Sequence, residues 1–280
     1  MTRQGVDMMM ALIDEIIYAV LAVYAFGSVL YFRGARTGQK KVFQAAFIMA
    51  ITGVVLNLLV LIIRTIIAGR LPLSNGAEFL LLFTWITVVF YLILQKKIQY
   101  KGAGGLVLLM AALLILAGAV LMKEQFGTAM PLMPALKSPW LCVHVLTAAL
   151  AYAGFALAAG LALWCVWGKS QAIGNSIIYS IVASGFAMLS LSIVFGAIWA
   201  EQAWGTYWSW DPKETWALVT WIIYALYLHL HKKMESQERQ ASIMVIAGFV
   251  FVLFTFFGVN YLLPGLHSYG VVLNNLNLFG

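Results

Sequence analysis

The sequence predicts an all-α, polytopic integral membrane protein of about eight transmembrane helices, with its 280 residues in a single membrane domain (1–280). Three observations carry this. The chain is 63% hydrophobic and 10% charged, where a soluble domain carries about a quarter charged residues. Apolar segments of bilayer-spanning length recur from end to end. The breaks between them are polar, basic or Gly/Pro-containing, and none is a soluble domain or a low-complexity linker.

The first segment, about 9–32, contains Asp14 and Glu15 and lacks a small-residue cleavage site, so it reads as a retained helix rather than a signal peptide. The basic break RGARTGQKK separates it from 42–68. GRLPLSNG leads into 77–95, and QKKIQYKGAGG into 104–122. The break KEQFGTAMPLMPALKSP precedes 139–167, and GKSQAIGN precedes 177–200. The last two segments, 214–231 and 241–263, flank HKKMESQERQ. Cys142 and Cys165 sit singly in apolar helix. With no C-x-x-C, the chain is neither a thioredoxin-like oxidoreductase nor itself a c-type cytochrome.

The net charge of +7 falls in the breaks, so topology explains it better than a nucleic-acid partner, and none is expected. Alternate breaks hold eleven basic residues (Arg33, Arg36, Lys40, Lys41, Lys96, Lys97, Lys101, Lys169, Lys232, Lys233, Arg239) against six (Arg3, Arg64, Arg70, Lys123, Lys137, Lys213). Basic loops stay in the cytoplasm. Both termini and the break between segments six and seven are therefore expected outside, on the periplasmic face of a bacterial cytoplasmic (inner) membrane.

That break is WGTYWSWDPKETW, residues 204–216, with four tryptophans and a tyrosine in thirteen positions. One or two tryptophans at a helix end read as an interfacial belt, which accounts for Trp85 and Trp140. A belt spreads its rings over many helix ends, whereas residues 199–221 hold six of the chain's ten tryptophans. Gly205 allows a turn after Trp204, and Asp211-Pro212 is a strong helix start. The expectation is a flat aromatic shelf at the outer surface, suited to a large planar apolar ligand.

Trp204, Gly205, Trp208, Trp210, Asp211, Lys213 and Glu214 form W-G-x-x-W-x-W-D-x-K-E, which resembles the tryptophan-rich "WWD" signature of haem-handling proteins. The continuation through Trp216 and Trp221 to Tyr227–His229 resembles the CcsA-type (ResC-type) branch, part of the system II cytochrome c synthases. LPLSNGAEF, Leu71–Phe79, is similar to a segment of the same branch, with Ala77 where the family usually has tyrosine. The resemblance implies a haem–apocytochrome c lyase (holocytochrome c synthase) subunit. Such a subunit exports haem b and presents it at the external WWD segment (200–216) for thioether attachment to a C-x-x-C-H apocytochrome c.

Four histidines are available: His144, His229, His231 and His267. An imidazole within a membrane helix is a functional candidate, although a bond to a neighbouring helix satisfies it equally well. By topology His144 and His267 lie outside, level with the tryptophans. His229 lies thirteen residues past Trp216, roughly 20 Å deeper, and His231 reads as a loop residue beside Lys232. The resemblance implies that His144 and His267 are external axial ligands and that His229 is a transmembrane ligand. It further implies a platform of Trp204, Gly205, Trp208, Trp210, Asp211 and Trp216, and a separate CcsB/ResB-type membrane partner; thiol-reducing periplasmic proteins fit the same setting. Arg64 and Arg70, at the outer end of segment two, are candidates for the propionates. Two other classes stay open: a cytochrome b-type electron-transfer subunit, and a haem-free transporter marked by polar groups such as Asn57 near mid-membrane.

Overall fold

The structure, a computed structural model, describes residues 3–98, 102–126, 134–168, 175–231, 237–263 and Gly265. Its regular elements are α1 (Arg3–Thr37), α2 (Lys40–Ala68), α3 (Gly76–Leu94), α4 (Ala103–Leu121), the short α5 (Lys123–Phe126), α6 (Pro139–Gly168), α7 (Asn175–Trp204), α8 (Pro212–Leu230), α9 (Glu238–Leu253) and α10 (Val259–Leu262). A 3₁₀ turn at Pro134–Leu136 precedes α6, and a π turn at Phe254–Gly258 joins α9 to α10.

Among the described residues, seven helices are long and apolar enough to cross a membrane. The eighth predicted span, α8, has 19 residues, as many as α3 or α4. Lys213, Glu214, Thr215 and His229 make it less apolar than the others. Packing keeps it in the bundle, antiparallel to α7 and α9. Trp221 Nε1 donates to Ser190 Oγ of α7 at 2.8 Å. Thr220 and Thr255 share a 3.3 Å hydrogen bond towards the π turn, and Tyr224 stacks on Phe155 of α6 with ring centres 3.7 Å apart. α1 outruns its apolar stretch at both ends, because no turn residue stops it before Gly38, whose φ is 67°.

The centre of the bundle is α6, which packs against α3, α4, α7 and α9. Ala149, Ala151, Ala153, Ala156, Ala158 and Ala159 are all buried on it. Small side chains let helix backbones approach in lipid, where dispersion replaces the hydrophobic drive between helices. Gly154 of α6 faces Gly185 of α7, and a Cβ on Gly154 would lie only 3.5 Å from the Gly185 Cα. Asn57 is fully buried and donates to Leu81 O and Thr84 Oγ1, both at 3.3 Å. It thus ties α2 to α3 rather than marking a transport path.

At one rim of the bundle, helix ends are tied by charge. Arg64 and Glu78 are buried and meet at 3.1 Å. The Arg64 guanidinium also donates to Phe126 O at 2.5 Å and Gln125 O at 3.1 Å. The second Glu78 oxygen accepts from Arg70 at 3.0 Å and from the Ser74 amide at 2.9 Å. Asn75 caps α3 through the Glu78 amide. One carboxylate therefore joins α2, α3 and the α4–α5 corner. Removing it leaves a buried cation without its counter-charge, so Glu78→Ala is expected to destabilise by about 3–5 kcal/mol. Arg70→Ala, at a more open pair, is expected to cost about 1 kcal/mol or less. Denaturation midpoints in mixed micelles check the order of the two.

Candidate functional site

The same rim carries the tryptophan-rich stretch. Trp204 is the last residue of α7, and Gly205 turns the chain with φ 80°. Trp210 also has a positive φ, 58°, which is costly for a bulky residue. The conformation is held from below. The Glu214 carboxylate accepts from the Ser209 amide at 2.8 Å, the Ser209 hydroxyl at 3.3 Å and the Asp211 amide at 3.2 Å. Asp211 Oδ1 in turn accepts from the Lys213 amide at 2.9 Å, which completes a capping box around Pro212.

The result is an aromatic edge rather than the single flat shelf expected. Trp210 is 69% exposed and Tyr207 62%. Trp208 and Trp210 stand at 90°, with centroids 5.8 Å apart, because the strained turn at 210 sends adjacent rings in different directions. Trp216 packs inward on Phe254 at 4.4 Å and Phe251 at 5.9 Å. It therefore belongs to the α8–α9 seam and lies away from the exposed rings.

His144 sits one turn into α6, half-buried against α7. Its Nδ1 lies 2.8 Å from the Ser192 carbonyl and 3.1 Å from the Ser192 hydroxyl. A carbonyl only accepts, so Nδ1 carries the hydrogen of the neutral ring and the lone pair falls on Nε2. Gly196, one turn along α7, gives the ring its space, since a Cβ there would stand 2.7 Å from Nδ1. The ring lies nearly parallel to Trp199, 13° between planes at 6.2 Å. Trp199 meets Trp204 edge-on at 4.8 Å and donates its Nε1–H to Ala135 O at 2.9 Å. A run of rings thus links His144 to the start of the tryptophan stretch.

The structure does not bring every expected residue to this place. His229 is near the far end of α8, in an exposed stripe with Ile222 and Leu226. His231 is not a loop residue; it forms the C-cap of α8 and stacks on Tyr179 at 4.3 Å. Arg64 and Arg70 share the rim but are both engaged by Glu78. His267 lies outside the described residues, which reach Gly265. Ser192, Gly196 and Trp199 are missing from the expected site; their one sequence signal is the spacing 192, 196, 199 on a single face of α7. Lys213, at the mouth of α8, donates to Asn260 Oδ1 at 3.2 Å.

Residues 73–267 match the sequence model described as cytochrome C assembly protein. The chain belongs to that family. It is similar to the cytochrome c biogenesis protein CcsA of Mesostigma viride, with 33% identity over 92% of this chain and 93% of the relative. It is likewise similar to CcsA of Guillardia theta, with 35% identity over 82% of this chain and 87% of the relative. Among solved structures, Cytochrome c Heme Lyase CcmF shares the fold, with TM-score 0.69 and 15% identity, over 89% of this chain and 46% of that one. This member of the cytochrome c assembly family thus spans less than half of that lyase. The matched region holds His144, His229, His267 and the tryptophan stretch, whereas Arg64 and Arg70 precede it.

The strain at Trp210 predicts an unusual stability pattern. Left-handed backbone costs a residue with a Cβ about 1–2 kcal/mol, part of which glycine returns as extra unfolded-state freedom. Trp210→Gly is therefore expected to hold or raise the thermal midpoint in detergent, and Trp210→Ala to stay below it.

Proposed function

We propose that this chain serves cytochrome c maturation as a membrane subunit that takes haem b through or along the bilayer and holds it at the tryptophan rim for attachment to an apocytochrome c. The observation that carries the reading is the His144 contact with Ser192 O at 2.8 Å. A neutral imidazole with its lone pair on Nε2 is the donor iron needs, and fixing the other nitrogen on a carbonyl is how proteins orient such a ligand. The exposed faces of Tyr207 and Trp210 suit a planar macrocycle beside it.

His144 and His267 are assigned as the two axial ligands at this rim, with Trp204, Gly205, Trp208 and Asp211 shaping the edge. Trp216 supports the edge through the α8–α9 seam. Of the two arginines, Arg70 is the better propionate contact, because 17% of its side chain remains exposed while Arg64 is buried. Haem supplies two vinyl groups, across which the two C-x-x-C-H thiols add without any oxidant. The chain's own part is orientation, which converts encounters into near-attack geometry. Asp211 Oδ1 and Glu214 Oε2 accept from backbone amides, so the two carboxylates act as framework rather than as a base.

His229 lies in an exposed apolar stripe, where an imidazole facing lipid alone is unfavourable. This supports an inner haem site completed by a second membrane protein of CcsB/ResB type, with lyase activity confined to the pair. The basic-residue asymmetry supports the rim facing the periplasm of a bacterial inner membrane, where thiol-reducing proteins would keep the substrate cysteines free.

The test is the visible spectrum of protein co-purified with its partner. His144→Ala and His267→Ala are each expected to lower haem content, change the axial-ligand bands and lower holocytochrome yield. Gly196→Ala is expected to do so more mildly, by pushing the imidazole from its bond. Unchanged haem content and yield in both histidine variants would end this reading.

A further inference from the structure

The tryptophan stretch has two halves that face different ways. Tyr207 and Trp210 are exposed, whereas Asp211 is 6% exposed and the Lys213 amine reaches α10. Helix capping explains only part of the second half. Asp211 Oδ1 makes the cap, while Oδ2 is turned to the chain beyond α10. There Gly265 lies so close to Asp211 Oδ2 that a Cβ would collide with it, and that Cβ would also stand 3.1 Å from Pro212 Cδ. Lys213 needs no side chain for a cap, yet its ammonium donates to Asn260 Oδ1 at 3.2 Å. The next residue, Tyr261, donates its hydroxyl to Leu121 O at 2.8 Å. The described chain is thus held at residues 260, 261 and 265, two residues before His267.

We propose that Asp211 and Lys213 are positioning residues: they dock Asn260 and Gly265 on the start of α8, and so set the point from which the sequence continues to His267 two residues later. This rests on the assignment of His267 as a ligand. The motif then does two jobs with one helix start. Its aromatic half presents rings, and its charged half fixes Asn260 and Gly265, the latter two residues ahead of the second histidine, relative to those rings. A side chain at Gly265 would push the Asp211 carboxylate aside and crowd Pro212 Cδ, so glycine allows the close approach. Asn260 is required as the acceptor for a cation in a largely apolar seam, where an unpaired ammonium is costly.

The experiment compares Asn260→Leu, Asn260→Asp and Gly265→Ala with His267→Ala, all co-purified with the partner and read by absorption and electron paramagnetic resonance. Asn260→Leu and Gly265→Ala are expected to lose the six-coordinate low-spin signal as His267→Ala does, to retain bound haem through His144, and to regain the signal with added imidazole. Asn260→Asp keeps an acceptor for Lys213 and is expected to keep the wild-type spectrum. Wild-type spectra for Asn260→Leu and Gly265→Ala, beside an altered His267→Ala, would overturn the docking role while leaving the ligand assignment standing. A wild-type spectrum for His267→Ala would overturn both. Loss of haem without recovery in imidazole would mark a merely structural contact and also overturn the proposal.

Discussion

The bond from His144 to the Ser192 carbonyl is the contact on which the site depends, and it exists only because α6 and α7 approach closely. An imidazole needs two partners in a medium that offers no water. Here α7 supplies one through its backbone, so the contact is not lost by changing the Ser192 side chain. The approach is set lower in the bundle, where Gly154 meets Gly185 and the alanines of α6 clear the way. A Cβ at Gly185 would press on the Phe155 ring at 3.0 Å, so the seam has little room for larger side chains there. The placement of the His144 ring against α7 therefore rests partly on small apolar residues that never touch it.

The rim itself is a frame of polar ties between helix ends. Arg64, Glu78 and Arg70 close the α2–α3 corner, and Arg64 reaches across to the carbonyls of Gln125 and Phe126. Trp199 holds Ala135, just ahead of α6, and Tyr261 holds the end of α4. The ties to Gln125, Phe126, Ala135 and Leu121 use backbone carbonyls at or near helix ends, where carbonyls otherwise lack intrahelical partners. The strain at Trp210 persists for the same reason: Glu214 gathers three donors from residues 209 and 211 and over-determines the turn between them. This end of the bundle is thus tied by hydrogen bonds and ion pairs, while the middle combines packing with ties such as that of Asn57.

Much of the architecture was legible in the sequence, because runs of apolar residues punctuated by basic breaks allow few alternatives in lipid. The tryptophan stretch and the Asp211-Pro212 helix start were legible too, since caps are local chemistry. What could not be read was which side chains meet across helices. Arg64 and Arg70 are separated from Glu78 by a turn, and nothing local says that one carboxylate takes both. Ser192 is one of many serines on α7, and only the fold shows its carbonyl against His144. Trp216 belongs to the same run of aromatics as Trp210, yet helical phase turns it inward onto Phe254, a direction that the run itself does not reveal.

The two described histidines of the proposed haem path differ in a way that separates their tasks. His144 has its hydrogen placed by the chain itself and its ring plane aligned with Trp199. Its geometry is complete before any ligand arrives, which suits a site that must hold a reactive group in one orientation. His229 stands in an exposed stripe of α8, between Leu226 and the helix end, and among the described residues no such frame meets it. A ligand placed there takes its orientation from whatever covers the stripe. On the proposed reading the outer position belongs to this chain, while the inner one is set only on assembly. Haem would then move from a site defined by two proteins to a site defined by one, and release from the partner would precede presentation at the rim.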